Sequence, residues 1–480
     1  MSRRLAVSLH LLATCALLGA PLAAGAIPAF ARKYETSCLT CHTVYPKLTP
    51  FGEAFRRNGY RFPGVDSDFI KQPQIALGQE ANKKTFPNSV WPSSLPATSV
   101  LAIGANGEVF GYPDPNASVP RQNPGLRFTF DSLVAEAHIW AGAALDDTTT
   151  IWAELTFSTD GTVDVEHAQV LFNDLVGPKH AVNLVVGKGF PTLGSFGPHS
   201  SYLGDSFMTT VPVTGIYGLS TDPFTLVDNY NGVELNGVLG GQFSWSAGVS
   251  NGKNSFTTRF SSENFYGHLG WKIGGLRLDG EGSQGPADAM RPWAEDAFTL
   301  DLFAYRSVEH GVDPAVPAVE VKDDSVTYGA TARGQLGSTE LNLGAYVQDH
   351  DHASITLVPD YPKVKADVEW AELSYVLYPW MVPAVRVERI GLKPTGAPSV
   401  SDVHLMPGVA FLIRANIKAV LVANFEFVNG FPQDANGAAL AWDGGNADWG
   451  NFVGFAKDPA NPGAKLNEIE SIALFFAWAM

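Results

Sequence analysis

From about residue 99 onward, apolar and polar residues alternate in segments of roughly ten, separated by turn residues. The last segment shows the pattern plainly: Ile472, Leu474, Phe476, Trp478 and Met480 alternate with Ser471, Ala473, Phe475, Ala477 and Ala479. A period of two sends successive side chains to opposite faces of a strand. Segments of this length with one lipid-facing and one lumen-facing row are the sequence signature of a transmembrane β-barrel. The pattern predicts strands over 99–112, 126–145, 148–158, 163–175, 181–191, 226–239, 241–251, 263–273, 275–284, 296–308, 324–336, 339–350, 365–378, 382–392, 402–414, 417–429 and 467–480. These number seventeen, whereas bacterial single-chain barrels have even counts. Joining 263–284 into one strand interrupted at Gly274-Gly275 gives sixteen. The join also gathers the longest connections, 192–225, 309–323, 351–364 and 430–466, on one end, with the termini and mostly short turns on the other. Long extracellular loops and short periplasmic turns are the expected asymmetry. The predicted fold is therefore all-β, a transmembrane antiparallel barrel of about 16 strands over 99–480, preceded by a small α-helical module. An aromatic residue is the usual last residue of such barrels, and Met480 departs from it; Trp residues near strand ends agree with interfacial girdles.

Composition sharpens this picture. The chain is 45% hydrophobic and only 17% charged, yet no run after the first residues approaches the ~20 apolar residues of a membrane helix. A large secreted β-sandwich or propeller is the soluble alternative, and the absence of a fixed internal period counts against a propeller. Arg3 and Arg4, the apolar stretch Leu5 to Leu18 and the small-x-small site Ala24-Gly25-Ala26 read as a signal peptide over 1–26. A linker with Pro73, Pro87, Pro92 and Pro96 runs over 64–98 and is long enough to reach the first strand.

Candidate chemistry lies in the intervening module, 27–63. Cys38-Leu39-Thr40-Cys41-His42 has two thiols three positions apart with a His directly after, the spacing at which haem is attached covalently. Each sulfur takes one vinyl group, and His42 supplies the proximal iron ligand. The only other cysteine, Cys15, lies in the expected signal peptide, so a Cys-rich zinc site cannot be built; a redox dithiol would leave His42 unexplained. Thr49-Pro50 reads as an N-cap followed by a first-turn proline, with Gly59 closing the helix. Phe51 and Phe55 share one face of it, ready to pack on the porphyrin. Between His42 and His138 there is neither His nor Met. The sixth coordination position is thus open, filled by a weaker ligand such as Tyr or Lys, or supplied by the barrel. So short a module cannot fold on a core of its own.

Charge is unevenly placed. The net of −16 divides into +2 for residues 1–26, +4 for 27–63 and −22 for 64–480. An acidic body can hold the basic module and attract cations, or simply keep its loops soluble.

The module's wording adds a resemblance. Ile27-Pro28-Ala29-Phe30-Ala31-Arg32, the Cys38 to His42 motif, Leu48-Thr49-Pro50-Phe51-Gly52 with Phe55, and Asn58-Gly59-Tyr60 resemble the N-terminus of the iron-oxidising fused cytochrome-porins of bacterial outer membranes. The resemblance covers roughly 35 residues and combines the motif with its flanks; similar flanks occur in other porin–cytochrome fusions. It implies one covalently attached haem c in or at the barrel lumen, both termini on the periplasmic side, and electrons taken from extracellular Fe(II) or another redox-active metal. The electrons would pass to a periplasmic carrier, a cytochrome or copper protein.

A second group of residues comes from strand register. The hairpin signal Asp160-Gly161 sets Glu154 opposite His167, and alternation points both into the lumen. Glu136 and His138 point inward by the same rule, and a tight turn at Asp146-Asp147 brings His138 level with Glu154. These groups fit plain solvation of a channel, a transient ferrous-iron site, or a distal haem ligand from His138 or His167. Asp349, His350, Asp351 and His352 form another His/Asp run beside an expected outer loop. No hydrolase triad, phosphate loop or nucleic-acid motif competes, and the acidic body argues against nucleic acid. The reading is one-electron transfer across the outer membrane, inward from Fe(II). Outward transfer to external oxides or a partner cell, and a diffusion porin with a haem plug or sensor, are the alternatives.

Overall fold

Strands form where the two-residue period runs. In the computed structural model they are β1 (Leu101–Pro113), β2 (Leu126–Thr129), β3 (Glu136–Ala144), β4 (Thr149–Ser158), β5 (Val163–Phe172), β6 (Asn183–Gly189), β7 (Tyr230–Leu239), β8 (Phe243–Ser250) and β9 (Asn264–Gly274). They continue as β10 (Glu295–Val312), β11 (Glu320–Gly337), β12 (Thr339–His350), β13 (Val364–Tyr375), β14 (Met381–Pro394), β15 (Val400–Arg414), β16 (Ile417–Asn429) and β17 (Leu466–Ala479). The structure describes residues 30, 34, 36, 38–44, 47–61, 101–113, 126–130, 133–144, 148–195, 198–203, 230–251, 264–281, 291–312, 320–351, 363–395, 399–414, 417–429 and 466–479. The expected signal peptide, the linker over 64–98, the Asp146-Asp147 turn, His352 and Met480 lie outside these residues.

From β3 to β17 every strand pairs antiparallel with its chain neighbours, and β1 pairs with β17, Gly104 opposite Ala479 and Gly111 opposite Ile472, which closes the sheet. β2 and β3 both pair with β1, Thr129 opposite Phe110 and Glu136 opposite Asn106. They are two halves of one strand, so the barrel has sixteen strands. Two expectations are corrected here. The stretch expected as a continuous strand over 126–145 is interrupted between Thr129 and Glu136, with residues 130 and 133–135 outside any strand. The strand expected over 275–284 is not seen over its described residues, 275–281: Gly274 and Gly275 take φ of +75° and +61°, left-handed values that turn the chain out of the sheet. Sixteen therefore arises by loss of that strand and not by joining it to 263–273. As a result a long connection, 275–294, lies on the same end as the short turns.

The barrel inverts the polarity of a soluble protein. Along β12, Glu340, Asn342 and Gln348 are buried inside while Leu341 (40% exposed) and Leu343 face out. Asn342, inside, is only 4% exposed. Leu269, Trp271, Phe298, Leu302, Leu373 and Val387 continue the exposed apolar surface on other strands. Strands of about 9–11 tilted residues span a hydrocarbon layer, and an outward apolar belt on a closed sheet is what that layer requires. Leu302, 53% exposed in mid-β10 and opposite Leu269, provides a test. Leu302→Arg should cost about 2–4 kcal/mol when the protein is folded into lipid vesicles and titrated with urea. A change within about 0.5 kcal/mol, usual for an exposed site in water, would refute lipid contact there.

Two short helices, α1 (Cys38–Cys41) and α2 (Pro50–Arg57), sit inside the barrel on the side of the short turns. Cys38, Leu39 and Val44 join one apolar cluster with Val382, Met406, Leu412, Val422 and Ala473 of β14–β17. Around this patch, ion pairs tie the module to the wall. Lys47 pairs with Glu340, Glu53 with Arg333, and Arg61 Nη2 lies 2.9 Å from Asp174 Oδ2. Thr150 Oγ1 donates to the Gly59 carbonyl at 2.7 Å, and Asn58 Nδ2 donates to the Asp279 carbonyl at 3.2 Å. Two of the three ion pairs place a module cation on a barrel anion, in line with the basic module and acidic body. Glu53–Arg333 reverses that sense.

Candidate functional site

The haem motif folds as a single helical turn, with His42 N donating to the Cys38 carbonyl at 2.8 Å. Its open end is taken up by the next element: Thr49 N donates to the Cys41 carbonyl at 2.9 Å, and Thr49 Oγ1 to the Thr40 carbonyl at 2.7 Å. Thr49 also caps α2, accepting from Gly52 N at 3.0 Å, with Pro50 in the first turn as expected. One threonine thus welds the two helices. At Gly52 a Cβ would stand 2.1 Å from the Cys41 carbonyl oxygen. Because that neighbour is backbone, Gly52→Ala must push α2 off α1. Overpacking of this kind costs about 1–3 kcal/mol. The expected outcome is a lower haem-to-protein ratio with the barrel's heat-modifiable band unchanged on gels.

Cys38, Cys41 and His42 line one cavity between the module and the wall formed by β3–β9. Its empty space is about 1630 Å³, including the part that opens to solvent. Phe55, Tyr60, Phe30, Trp140, Trp152 and Phe190 give it an aromatic lining. Phe30 stacks on Tyr60 at 5.5 Å and Tyr60 on Trp152 at 5.7 Å, so the stack runs from module to barrel. Phe51 is buried with Tyr34 and Phe55 but lies outside the cavity lining, which corrects the expectation that both phenylalanines face the porphyrin. Burial pushes the Cys41 thiol up to about 12 and the Cys38 thiol up further. Cys38 is buried and Cys41 half-buried, and two such thiols followed directly by a His beside an aromatic-lined cavity fit a thioether-bound haem. The donor set and the cavity suit the group together.

The lumen cluster expected from register is also present. Glu154 Oε2 accepts from His167 Nδ1 at 3.1 Å, and Glu154 Oε1 lies 3.1 Å from His138 Nδ1. His138 Nε2 lies 3.1 Å from Asn106 Nδ2 and 3.6 Å from Glu136 Oε2. Thr156 Oγ1 is 3.1 Å from His138 Nδ1. The pairing of Glu154 with His167 holds, though by a different route from the expected two-residue turn. The hairpin pairs Phe157 with Val163, and a bulge at Glu166 restores Glu154 to His167. Asp160 braces that turn by accepting from Thr162 N and Oγ1. Glu154 and His167 line the same cavity as the haem motif, whereas His138 stacks on Trp140 at 5.1 Å outside the lining. Among the described residues no group of three or more His, Cys, Asp and Glu side chains has the arrangement of a metal site.

The other His/Asp run is divided by strand alternation. His350 points inward to Asp323 at 2.7 Å, while Asp349 lies exposed on the opposite face, 3.8 Å from Lys365. The expected external cluster is therefore not one site.

Part of the site was not anticipated. The connection expected as an outer loop over 192–225 begins by folding into the lumen. Thr192 N and Oγ1 donate to Glu234, Ser195 Oγ donates to Asp301 at 2.8 Å, and Ser201 Oγ donates to Glu372 at 2.6 Å. His199, on the 3-10 turn Pro198–Ser200, lines the cavity, and its carbonyl accepts from Leu48 N at 3.2 Å. The apolar residues Leu193, Tyr202 and Leu203, all buried, were the available signal that this segment is not an exposed loop.

No family model and no curated protein matches the chain. Solved structures similar to it include the outer-membrane OmpT of Vibrio cholerae, 11% identical over 80% of this chain and 99% of that one, with a TM-score of 0.44. The anion-selective porin from Comamonas acidovorans gives the same identity, coverage and score. OmpF of Salmonella typhi in complex with daunomycin is 10% identical over 79% of this chain and 97% of that one, at 0.43.

Proposed function

We propose that this barrel spans a bacterial outer membrane and carries one c-type haem inside its lumen, bonded through Cys38 and Cys41 and ligated by His42. It would pass single electrons from extracellular Fe(II) to a periplasmic cytochrome or copper protein. The observation that carries the reading is that Cys38, Cys41 and His42 together line a cavity enclosed by the barrel wall. Haem, when bound, supplies the one-electron chemistry, and the protein tunes it by ligation, burial and nearby charge.

The chain's own residues divide the remaining work. Thr49 and Gly52 hold the two helices at the spacing that presents both sulfurs to the same space. The Phe30–Tyr60–Trp152 stack walls that space with apolar surface. Lys47, Glu53 and Arg61 fix the module to the barrel. A single centre cannot bridge a hydrocarbon layer about 30 Å thick, so donor and acceptor each approach from one mouth, and the body's −22 charge favours the cationic donor.

The test is a spectroelectrochemical titration of haem-loaded protein, with Fe(II) mixed into the oxidised form by stopped flow. Fast reduction and a midpoint above that of the iron couple support inward iron oxidation. A strongly negative midpoint with no reduction by Fe(II) would sink that direction in favour of outward transfer. Steady ion current through reconstituted protein, unchanged by haem redox state, would favour a diffusion porin with a plug.

A further inference from the structure

The module offers no imidazole besides His42, and the cavity lining shows where a second one comes from. Two barrel histidines line it, His167 of β5 and His199 of the inward segment. They stand in different relations to His42. His42 forms a bridge with Leu48, and Leu48 N donates to the His199 carbonyl. That chain of contacts ties His199 to the strand segment behind the proximal ligand. His167 belongs to the barrel wall, where it meets Trp152 at 6.1 Å and Phe190 at 5.2 Å.

Hydrogen bonding separates the lumen histidines further. In His138 both ring nitrogens are engaged, Nδ1 with Thr156 and Glu154 and Nε2 with Asn106. Neither nitrogen of that ring is left for a metal. His167 is engaged at Nδ1 alone. A carboxylate only accepts, so Nδ1 carries the proton and donates it to Glu154 at 3.1 Å. Nε2 has no hydrogen-bond partner among the described residues and is the atom that remains for a metal. An imidazole whose Nδ1–H is held by a carboxylate, on a ring that lines an open cavity, is the arrangement found behind most metal-bound histidines. Other candidates are committed elsewhere: Met406 is buried in the apolar cluster and does not line the cavity, Lys47 is paired with Glu340, and Tyr60 lies within the aromatic stack.

We propose that His167 is the second axial ligand of the haem carried on Cys38 and Cys41, with Glu154 as the residue that orients it. The proposal rests on the haem reading above. Its consequence is that coordination is completed across the boundary between module and barrel, so the isolated module cannot form the same centre. Glu154, shared between two imidazoles, fixes the tautomer of His167 and makes it the stronger donor.

The experiment is optical and electron paramagnetic resonance spectroscopy of full-length haem-loaded protein, as wild type, His167→Ala, His199→Ala and Glu154→Gln. Expected are a low-spin bis-imidazole spectrum in wild type and in His199→Ala, and loss of it in His167→Ala, restored by added imidazole. Glu154→Gln should remain low-spin with the midpoint shifted upward, because a neutral acceptor makes His167 a weaker donor to ferric iron. High-spin haem in wild type, or a His167→Ala protein that stays low-spin without imidazole, would overturn the proposal while leaving the haem reading intact. Absence of covalent haem from wild type would instead defeat the haem reading itself.

Discussion

On the haem reading proposed for this barrel, Cys38→Ala/Cys41→Ala should remove covalent haem completely: the haem-staining band on a denaturing gel should disappear, while the barrel should still fold and insert. The thioethers are the only covalent link the motif provides, and the remaining Cys15 lies in the expected signal peptide. The fold tolerates the change because neither sulfur supports the sheet. Cys38 contributes one small side chain to a cluster otherwise built from Leu39, Val44, Tyr202 and the inner faces of β14–β17. Ala retains the Cβ, and a loss of that size costs about 1 kcal/mol, spread over a barrel with sixteen strands in register. Reduction by Fe(II) should vanish along with the haem. Retention of the stained band would remove the foundation of the functional reading, whatever the barrel does.

Arg333→Ala is expected to release the module from the wall. Glu53 is enclosed between α2 and the barrel, and Arg333 Nη2 donates to its Oε2 at 2.7 Å in a two-pronged pair. Removing one member of a fully buried pair costs about 3–5 kcal/mol; here Arg57 and Lys272 also act on Glu53, so the expected loss is smaller, about tenfold in module docking for ~1.4 kcal/mol. In planar bilayers the variant should show larger or more frequent openings than wild type, and protease added on the short-turn side should clip the module faster. Glu53→Gln/Arg333→Met replaces both charges and should recover much of the loss. Unchanged conductance and clipping in Arg333→Ala would show that this pair does not hold the module.

The same pair sets a pH dependence. Burial alone would raise the Glu53 carboxyl, but the Arg333 guanidinium, by charge and hydrogen bond, holds it well below the usual carboxylate range. A depressed folded value contributes stability that is complete above the ordinary carboxylate pKa of about 4.3 and declines as pH falls through the folded value. Conductance should therefore be steady from neutral pH down to about pH 5 and rise only in stronger acid. The Glu53→Gln/Arg333→Met protein should lack that acid limb.

Much of the architecture was legible in the chain. Alternation placed nearly every strand, with β12 and β16 matching their expected bounds of 339–350 and 417–429, because lipid outside and polar lumen inside impose a strict two-residue period. Thr49-Pro50 marked the start of α2, since capping is decided within a few residues. The expectation of haem at Cys38, Cys41 and His42 is equally local, since it rests on spacing alone, and it stands as a proposal. Glu154 opposite His167 was also readable, although the turn and the bulge at Glu166 each differed from expectation and offset one another.

What the sequence determined by itself is local: period, caps, the haem motif and the charge contrast between module and body. Tertiary structure alone decided which face of the lumen receives the module, that the segment around His199 turns inward, and that Glu53 meets Arg333 across 280 positions. It also divided the Asp349–His350 run and set His167 in the lining of the cavity. The physical reason is that closing the sheet brings together strands far apart in the chain. Contacts across the lumen then depend on barrel circumference and strand stagger, which no short window of residues encodes.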